Sequence, residues 1–372
     1  MIVGCVREIK ESENRVGLMP THAFEYVNAG HTVIVESGLG VASGFTDELY
    51  SEAGATVVDS AEAVWAQVDM MIKVKEPLES EYPLMRAGQI LFTYLHLADN
   101  APLTQALVDR KVTAFAYETV TDPQGRLPLL RPMSEVAGRL SIQQGAKYLE
   151  GHYGGKGILL SGVPGVHGGH VVIIGAGVVG MSACKTALGT GASVSILDTN
   201  LDRLAYIEDV FNGRVNTIFS DEHNIQEELK RADIVIGSVL IPGDKAPKLV
   251  RREHLELMEK GTVLVDVAID QGGCFETSKP TTHQNPIFID SGIVHYCVTN
   301  MPGAVPQTST HALGNATIRY GLEIANRGAL EAIQSNEGLF NGLNAYDGHI
   351  TNAAVARSQN FEYNNMKNTL KG

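Results

Sequence analysis

The stretch 170–198, HVVIIGAGVVGMSACKTALGTGASVSILD, constrains the fold more than any other. The β-branched run Val171 to Ile174 stops abruptly at Gly175-Ala-Gly177-Val-Val-Gly180. An apolar-periodic stretch follows from Met181 to Leu188, then a second strand pattern from Ala192 to Leu197 that ends in Asp198. The order is strand, glycine turn, helix, strand, acid. Gly175 permits a tight turn, Gly177 lets backbone approach a pyrophosphate, and Gly180 lets the helix sit close to the sheet. The helix N-terminus offers unpaired N–H groups to phosphate oxygens. Asp198, about twenty residues beyond the glycines, is placed to accept hydrogen bonds from ribose hydroxyls. A bare glycine motif could be a turn that binds nothing. The strand before it and the acid after it point to a dinucleotide site.

Asp198 also bears on which dinucleotide is bound. A carboxylate there repels a 2′-phosphate and favours NAD over NADP. Arg203 pulls the other way, because a nearby Arg can hold that phosphate.

At 372 residues and 44% hydrophobic content, the chain is long enough for two domains with substantial cores. A net charge of −13 argues against general affinity for nucleic acid or an anionic membrane. No apolar run reaches the roughly 18 residues of a membrane helix. The opening MIVGCVREIKESENR does not read as a signal peptide, since charge follows a short apolar stretch. Cys5, Cys184, Cys274 and Cys297 are scattered, with no C-x-x-C pair, so neither a zinc site nor a disulfide framework is indicated. The expectation is a cytoplasmic protein that uses no metal.

Residues 1–125 alternate strand and helix signals. Strands are expected at Met1–Val6, His31–Glu36, Met70–Lys75, Gln89–Leu95 and Thr113–Tyr117, with helices between them. Such alternation implies a mostly parallel sheet with crossover helices. A long helix is expected over Ser134–Tyr148, and further strands at Asn216–Phe219, Ile234–Gly237 and Val263–Val267. The doubly wound dinucleotide domain is then complete near residue 300, and the tail returns to the first domain. The expected architecture is α/β, two Rossmann-like doubly wound domains joined by long helices, the first made of both chain ends. Its boundaries are 1–130 plus 306–372 for the substrate and catalytic domain, and 131–305 for the NAD-binding domain. The segment NEGLFNGLNAYDGHITN reads as material for a subunit contact.

In open α/β sheets, ligands bind beyond the carboxyl ends of the strands. Three polar residues of the first domain stand there: Arg15 after the first strand, Lys75 ending MMIKVK, and His96 ending ILFTYLH. Two cations and an imidazole suit a small carboxylate substrate and a proton-transfer step. Arg forks onto a carboxylate, Lys polarises a carbonyl, and His exchanges protons near neutrality. On local grounds Arg15 would be a solvated loop charge, Lys75 a strand-end gatekeeper and His96 one of twelve ordinary histidines. In the second domain, Asp266 reads as structural and Asp270 as free to touch substrate or water. Val298, Asn300 and Met301 mark another strand end.

The segments VREIKESENRVGLMP, IKVKEP, FTYLHLA, RPMSEVAGRLS, GAGVVG with its LD, VDVAIDQGG and VTNMPGAVPQTST occur in one order along the whole chain. Together they resemble the bacterial L-alanine dehydrogenases. The NAD(H)-binding part of proton-translocating transhydrogenase is similar in its glycine fingerprint and RPxxEV-type segment. The resemblance implies substrate binding by Arg15 and Lys75, acid–base catalysis by His96, and a catalytic carboxylate in Asp270. It implies an NAD site from Ser134, Gly175, Gly177, Val179, Gly180, Asp198, Arg203, Ser220, Val239, Leu240, Val267, Ile269, Asp270, Val298, Asn300 and Met301. It further implies a homohexamer whose small-molecule partners are L-alanine, pyruvate and ammonium. Arg occupies position 327, and no metal is expected there. The implied reaction is oxidative deamination of L-alanine and its reverse. Two other readings use the same residues: a soluble transhydrogenase-like NAD(H)-binding subunit, and a non-catalytic NAD sensor.

Overall fold

The structure is a computed structural model that describes residues 1–239 and 246–366. The chain forms two compact units, Met1–Met133 together with the described residues from Val305 onward, and Ser134–Ala304. In chain order the strands are β1 Ile2–Cys5, β2 Thr32–Glu36, β3 Thr56–Val58, β4 Met70–Ile72, β5 Ile90–Thr93, β6 Thr113–Ala116, β7 His170–Ile174 and β8 Ser193–Asp198. They continue as β9 Asn216–Phe219, β10 Ile234–Gly237, β11 Val263–Asp266, β12 Ile287–Asp290, β13 Ile293–Tyr296, β14 Leu343–Tyr346 and β15 His349–Ile350.

The first unit's sheet runs β15-β14-β6-β5-β4-β1-β2-β3, with β1 to β6 parallel. The second runs β12-β13-β11-β10-β7-β8-β9, parallel except for β12. Each parallel core has the doubly wound order, reversing direction between β1 and β4 in one unit and between β7 and β10 in the other. That reversal opens a crevice beyond the carboxyl ends of the two strands, where ligands of such sheets bind. The strands are short and apolar on both faces, as parallel strands covered by helices must be.

The tail is part of the first unit. Ala345, Ile350, Val355 and Ala356 pack into one buried cluster with Trp65, Met71, Leu91 and Leu107. The second unit's core gathers Val172, Ile174, Leu197, Val235, Leu264 and Phe275. The chain passes from the first unit to the second along the helix Arg131–Tyr148, and the helix Pro306–Arg327 starts soon after it leaves.

Three features differ from the sequence expectation. β3 is only three residues long, too short for periodicity to announce it. The segment read only as material for a subunit contact forms secondary structure of its own, a helix, Glu337–Gly342, and the β14–β15 hairpin. Asp347 and Gly348 close that hairpin with φ of 42° and 82°, the left-handed pair a two-residue turn requires. Val298, expected at a strand end, lies beyond β13 and makes only an isolated bridge to Thr281.

A buried ion cluster braces the loop after β4. Lys73 is fully buried, with Nζ 3.1 Å from a Glu8 oxygen and 3.0 Å from a Glu81 oxygen. Burial works against the Lys73 charge, but the two carboxylates outweigh it and raise its pKa. Truncation would leave two acids without their cation, the costly way to break a buried pair. Lys73→Ala is expected to lose about 3–5 kcal/mol of stability in chemical denaturation. A loss below 1 kcal/mol would refute the bracing role.

Candidate active site

In the first unit, the loop after β1 turns back over the sheet end and buries Arg15, which is only 4% exposed. The polar surroundings in sequence suggest a solvated charge; the structure makes Arg15 an interior cation. Glu13 is the reason. Its Oε1 accepts from Arg15 Nε at 2.7 Å and from the Arg15 backbone N–H at 3.0 Å, and its Oε2 lies 2.5 Å from Nη2. Nη1 donates to the Met133 sulfur at 3.0 Å.

Lys75 follows β4, next to β1 across the crevice. Burial pushes its pKa down, and the nearby Arg15 charge adds to that. Its backbone N–H donates to Glu8 Oε1 at 3.2 Å, which also accepts from Val74 N at 2.6 Å. Among the described residues no carboxylate lies within ion-pair distance of Lys75 Nζ, in contrast to Lys73. Lys73 is held by two acids; Lys75 is not held in that way.

His96 follows β5, exposed, in the left-handed region at φ 48°. A non-glycine residue held there costs of order 1–3 kcal/mol and is found where the surroundings fix it. Here Glu118 fixes it, accepting from Leu95 N at 3.2 Å and from His96 N at 2.6 Å. The imidazole stacks on Tyr94 at 5.9 Å between centroids and 13° between planes. The Tyr94 hydroxyl donates to the Leu129 carbonyl at 2.6 Å, and its ring is buried beside Arg15. Arg15 thus couples to Lys75 on one side and to Tyr94, with its stacked His96, on the other. Sequence reasoning missed Glu13, Tyr94 and Glu118. Tyr94 had a signal, two positions before His96 in the short segment that follows β5.

In the second unit, the fingerprint geometry is explicit. Gly175 has φ 105°, which demands glycine. Gly177 caps the helix Val178–Thr190, and a Cβ there would meet nothing within 4 Å, so its outer face is open to a ligand. A Cβ at Gly180 would overlap the Gly175 carbonyl oxygen. Asp198, ending β8, accepts from Ala176 N at 2.7 Å and Asn200 N at 2.9 Å. Arg203 Nε donates to the Ala176 carbonyl at 2.6 Å. Ser220 N bonds back to the Asp198 carbonyl at 3.0 Å, which puts it beside the same strand end. Val179 and Val239 are partly exposed. Leu240 lies outside the described residues.

Asp266 ends β11 and is fully buried. Its carboxylate accepts from the backbone N–H groups of Ala268 and Cys274 at 3.1 Å, of Phe275 at 3.2 Å, and from Ser278 Oγ at 2.5 Å. This folds 267–278 into a fixed loop. Burial raises the Asp266 pKa against those bonds. Val267 N bonds to the Gly237 carbonyl at 2.9 Å, and Asp270 sits exposed on the one-turn helix Ile269–Gln271. Ile269, Val298 and Met301 are buried, so Ile269 and Met301 wall this region while Val298 offers only backbone. Asn300 has φ 57° and its carbonyl receives His283 Nε2 at 3.3 Å. Ser134, in the helix Arg131–Tyr148, is half-buried.

Residues 4–137 match the family described as "Alanine dehydrogenase/PNT, N-terminal domain", and residues 141–353 match its C-terminal domain. The chain belongs to the alanine dehydrogenase/PNT family. It is 56% identical over 372 residues to "Alanine dehydrogenase 2" of Staphylococcus aureus strain USA300, covering all of both chains. A solved "L-alanine dehydrogenase" superposes with a TM-score of 0.94 at 50% identity, covering 96% of this chain and 99% of that one. A transhydrogenase from Sinorhizobium meliloti shares the fold, with a TM-score of 0.82 at 23% identity and coverage of 95% and 100%. Membership in this family implies a nicotinamide cofactor, and the open face at Gly177 beside a helix N-terminus fits one.

The two glycines separate binding from folding. Gly177→Ala is expected to keep stability within about 1 kcal/mol, the scale of a helix cap change, while weakening NADH binding at least roughly tenfold. Fluorescence titration alongside thermal melting checks this. Unchanged NADH affinity would remove the fingerprint from the binding site.

Proposed function

We propose that this chain is an NAD-dependent L-alanine dehydrogenase, converting L-alanine, NAD⁺ and water to pyruvate, ammonium, NADH and a proton, and running in reverse. The observation that carries the reading is that Arg15, Lys75 and His96 follow β1, β4 and β5, three neighbouring strands of a sheet that has no fingerprint of its own. A sheet end with two cations and an imidazole has the chemistry of a small carboxylate site. The whole-length similarity to proteins named alanine dehydrogenase names the substrate.

Arg15, immobilised by Glu13, binds the substrate carboxylate through its guanidinium. Lys75 adds a second positive charge and stabilises the oxygen anion that develops at the carbonyl carbon. A nicotinamide dinucleotide held by the turn Gly175–Gly180 and Asp198 would supply the hydride acceptor, and loss of hydride from the α-carbon would leave an iminium on the substrate. His96 takes a proton from the water that attacks this iminium and returns it to the departing ammonia. Asp270, held on the loop that Asp266 folds, orients substrate or water and shares the proton traffic. Asp198 favours NAD, since a second negative group at the ribose would be repelled. Arg203 is tied to the Ala176 carbonyl, which supports a role in framing the ribose site.

We also assign a homohexamer. Leu159, Val163 and Val166 are 62%, 54% and 64% exposed on one loop of the second unit, more apolar surface than a solitary loop keeps in water. No helix among the described residues is long and apolar enough to cross a membrane. The four cysteines are buried free thiols, which supports a reducing, cytoplasmic setting.

Purified protein with NAD⁺ is expected to form NADH with L-alanine at alkaline pH and little with D-alanine. NADH binding without turnover of any amino acid would favour the sensor reading instead. His96→Ala is expected to lower kcat by at least roughly a hundredfold, the usual share of a general acid–base group, with NADH affinity unchanged. Near-normal turnover would strip His96 of its role.

A further inference from the structure

We propose that Glu13 is a positioning residue for the substrate-carboxylate site, clamping the Arg15 guanidinium and offsetting the repulsion between Arg15 and Lys75. The inference rests on the dehydrogenase reading, because it assigns both cations to one substrate. Three observations carry it. The first is burial: the Glu13 side chain is 0% exposed and that of Arg15 is 2% exposed. The second is geometry. Both Glu13 oxygens are engaged by the guanidinium, and Oε1 takes the Arg15 backbone N–H as well. Three bonds over two residues fix both the plane and the base of the cation, the preorganisation a bidentate fork needs.

The third is the charge pattern. The groups bearing on the Lys75 ammonium are Arg15, Lys10 and Glu13 from the loop after β1, and Glu76 beside it in its own loop. Arg15 and Lys10 push its proton off; Glu76 and Glu13 hold it on. Glu76 is already committed to Lys10, whose Nζ lies 2.5 Å from its Oε1. Glu13 is therefore the carboxylate that pairs with Arg15 while adding to Glu76 in favouring the charged form of Lys75. Without it, two cations would share a desolvated pocket, the arrangement that drives one of them to lose its proton.

Glu13→Gln keeps the shape and one acceptor but removes the charge. At about pH 7.5, with saturating NADH and ammonium, its KM for pyruvate is expected to rise about tenfold while kcat stays within about threefold. The alkaline rise in pyruvate KM, which follows loss of the Lys75 proton, is expected to begin about one pH unit lower than in the wild type. Glu13→Asp keeps the charge on a shorter stem. It should raise KM yet retain the wild-type alkaline limb. A clamp with a purely structural role would shift KM without moving that limb. A Glu13→Gln enzyme with wild-type KM and limb overturns the proposal. If Glu13→Gln does not fold, Glu13→Asp decides: a raised pyruvate KM with kcat kept supports the clamp on Arg15, and a wild-type KM or a shifted limb overturns the proposal. Absence of L-alanine turnover in the wild type would instead sink the functional reading, and this inference with it.

Discussion

Buried carboxylates hold the ends of β1 and β4 together, and the first unit's chemistry depends on them. Glu8 leaves the end of β1 and takes the backbone N–H groups of Val74 and Lys75. With Glu81 it also takes the ammonium of Lys73. Glu13, farther along the same loop, takes Arg15. A doubly wound sheet opens a crevice at its switch point by topology alone. A crevice lined by cations needs an opposing set of charges behind it, or the cations would leave for water. The acids supply that backing for Arg15 and Lys75, the two cations proposed to bind the substrate.

The second unit uses carboxylates in the same spirit for a different end. Asp198 and Asp266 each end a strand and each spends its oxygens on backbone N–H groups, Asp198 on Ala176 in the loop after β7 and on Asn200 just beyond its own strand, Asp266 on the loop that follows β11. One loop is the glycine turn at the start of a helix; the other carries Val267, Ile269 and Asp270. Asp198, read in sequence as a ligand contact, thus also shapes a loop, and Asp266, read as structural, shapes another. Asp198 has both duties in the proposed function, since its charge still excludes a 2′-phosphate while its oxygens hold Ala176 and Asn200.

Much of this was legible in the chain. The glycine fingerprint is legible because each glycine answers a steric demand made within a few residues. The strands before Lys75 and His96 are legible because they are short, apolar runs. The status of Arg15 was not: nothing local says that a polar loop folds inward, and the carboxylate that draws it in lies only two residues away in an equally polar context. The left-handed backbone at His96 was hidden as well, since Glu118 enforces it from beyond β6. The C-terminal hairpin did have a local mark, the Asp347-Gly348 pair, but its sheet partner β6 lies more than two hundred residues earlier.

That separation sets an order of events during synthesis. All of β7 to β13 leaves the ribosome before β14 exists, so the dinucleotide-binding unit has every strand it needs while the first sheet still has an unpaired edge at β6. Pairings between distant segments close slowly, and an open edge strand recruits other chains. The nascent protein therefore passes through a stage with one finished half and one half exposed along β6. The hairpin, made only after every strand of the second unit, is also what seals the vulnerable edge.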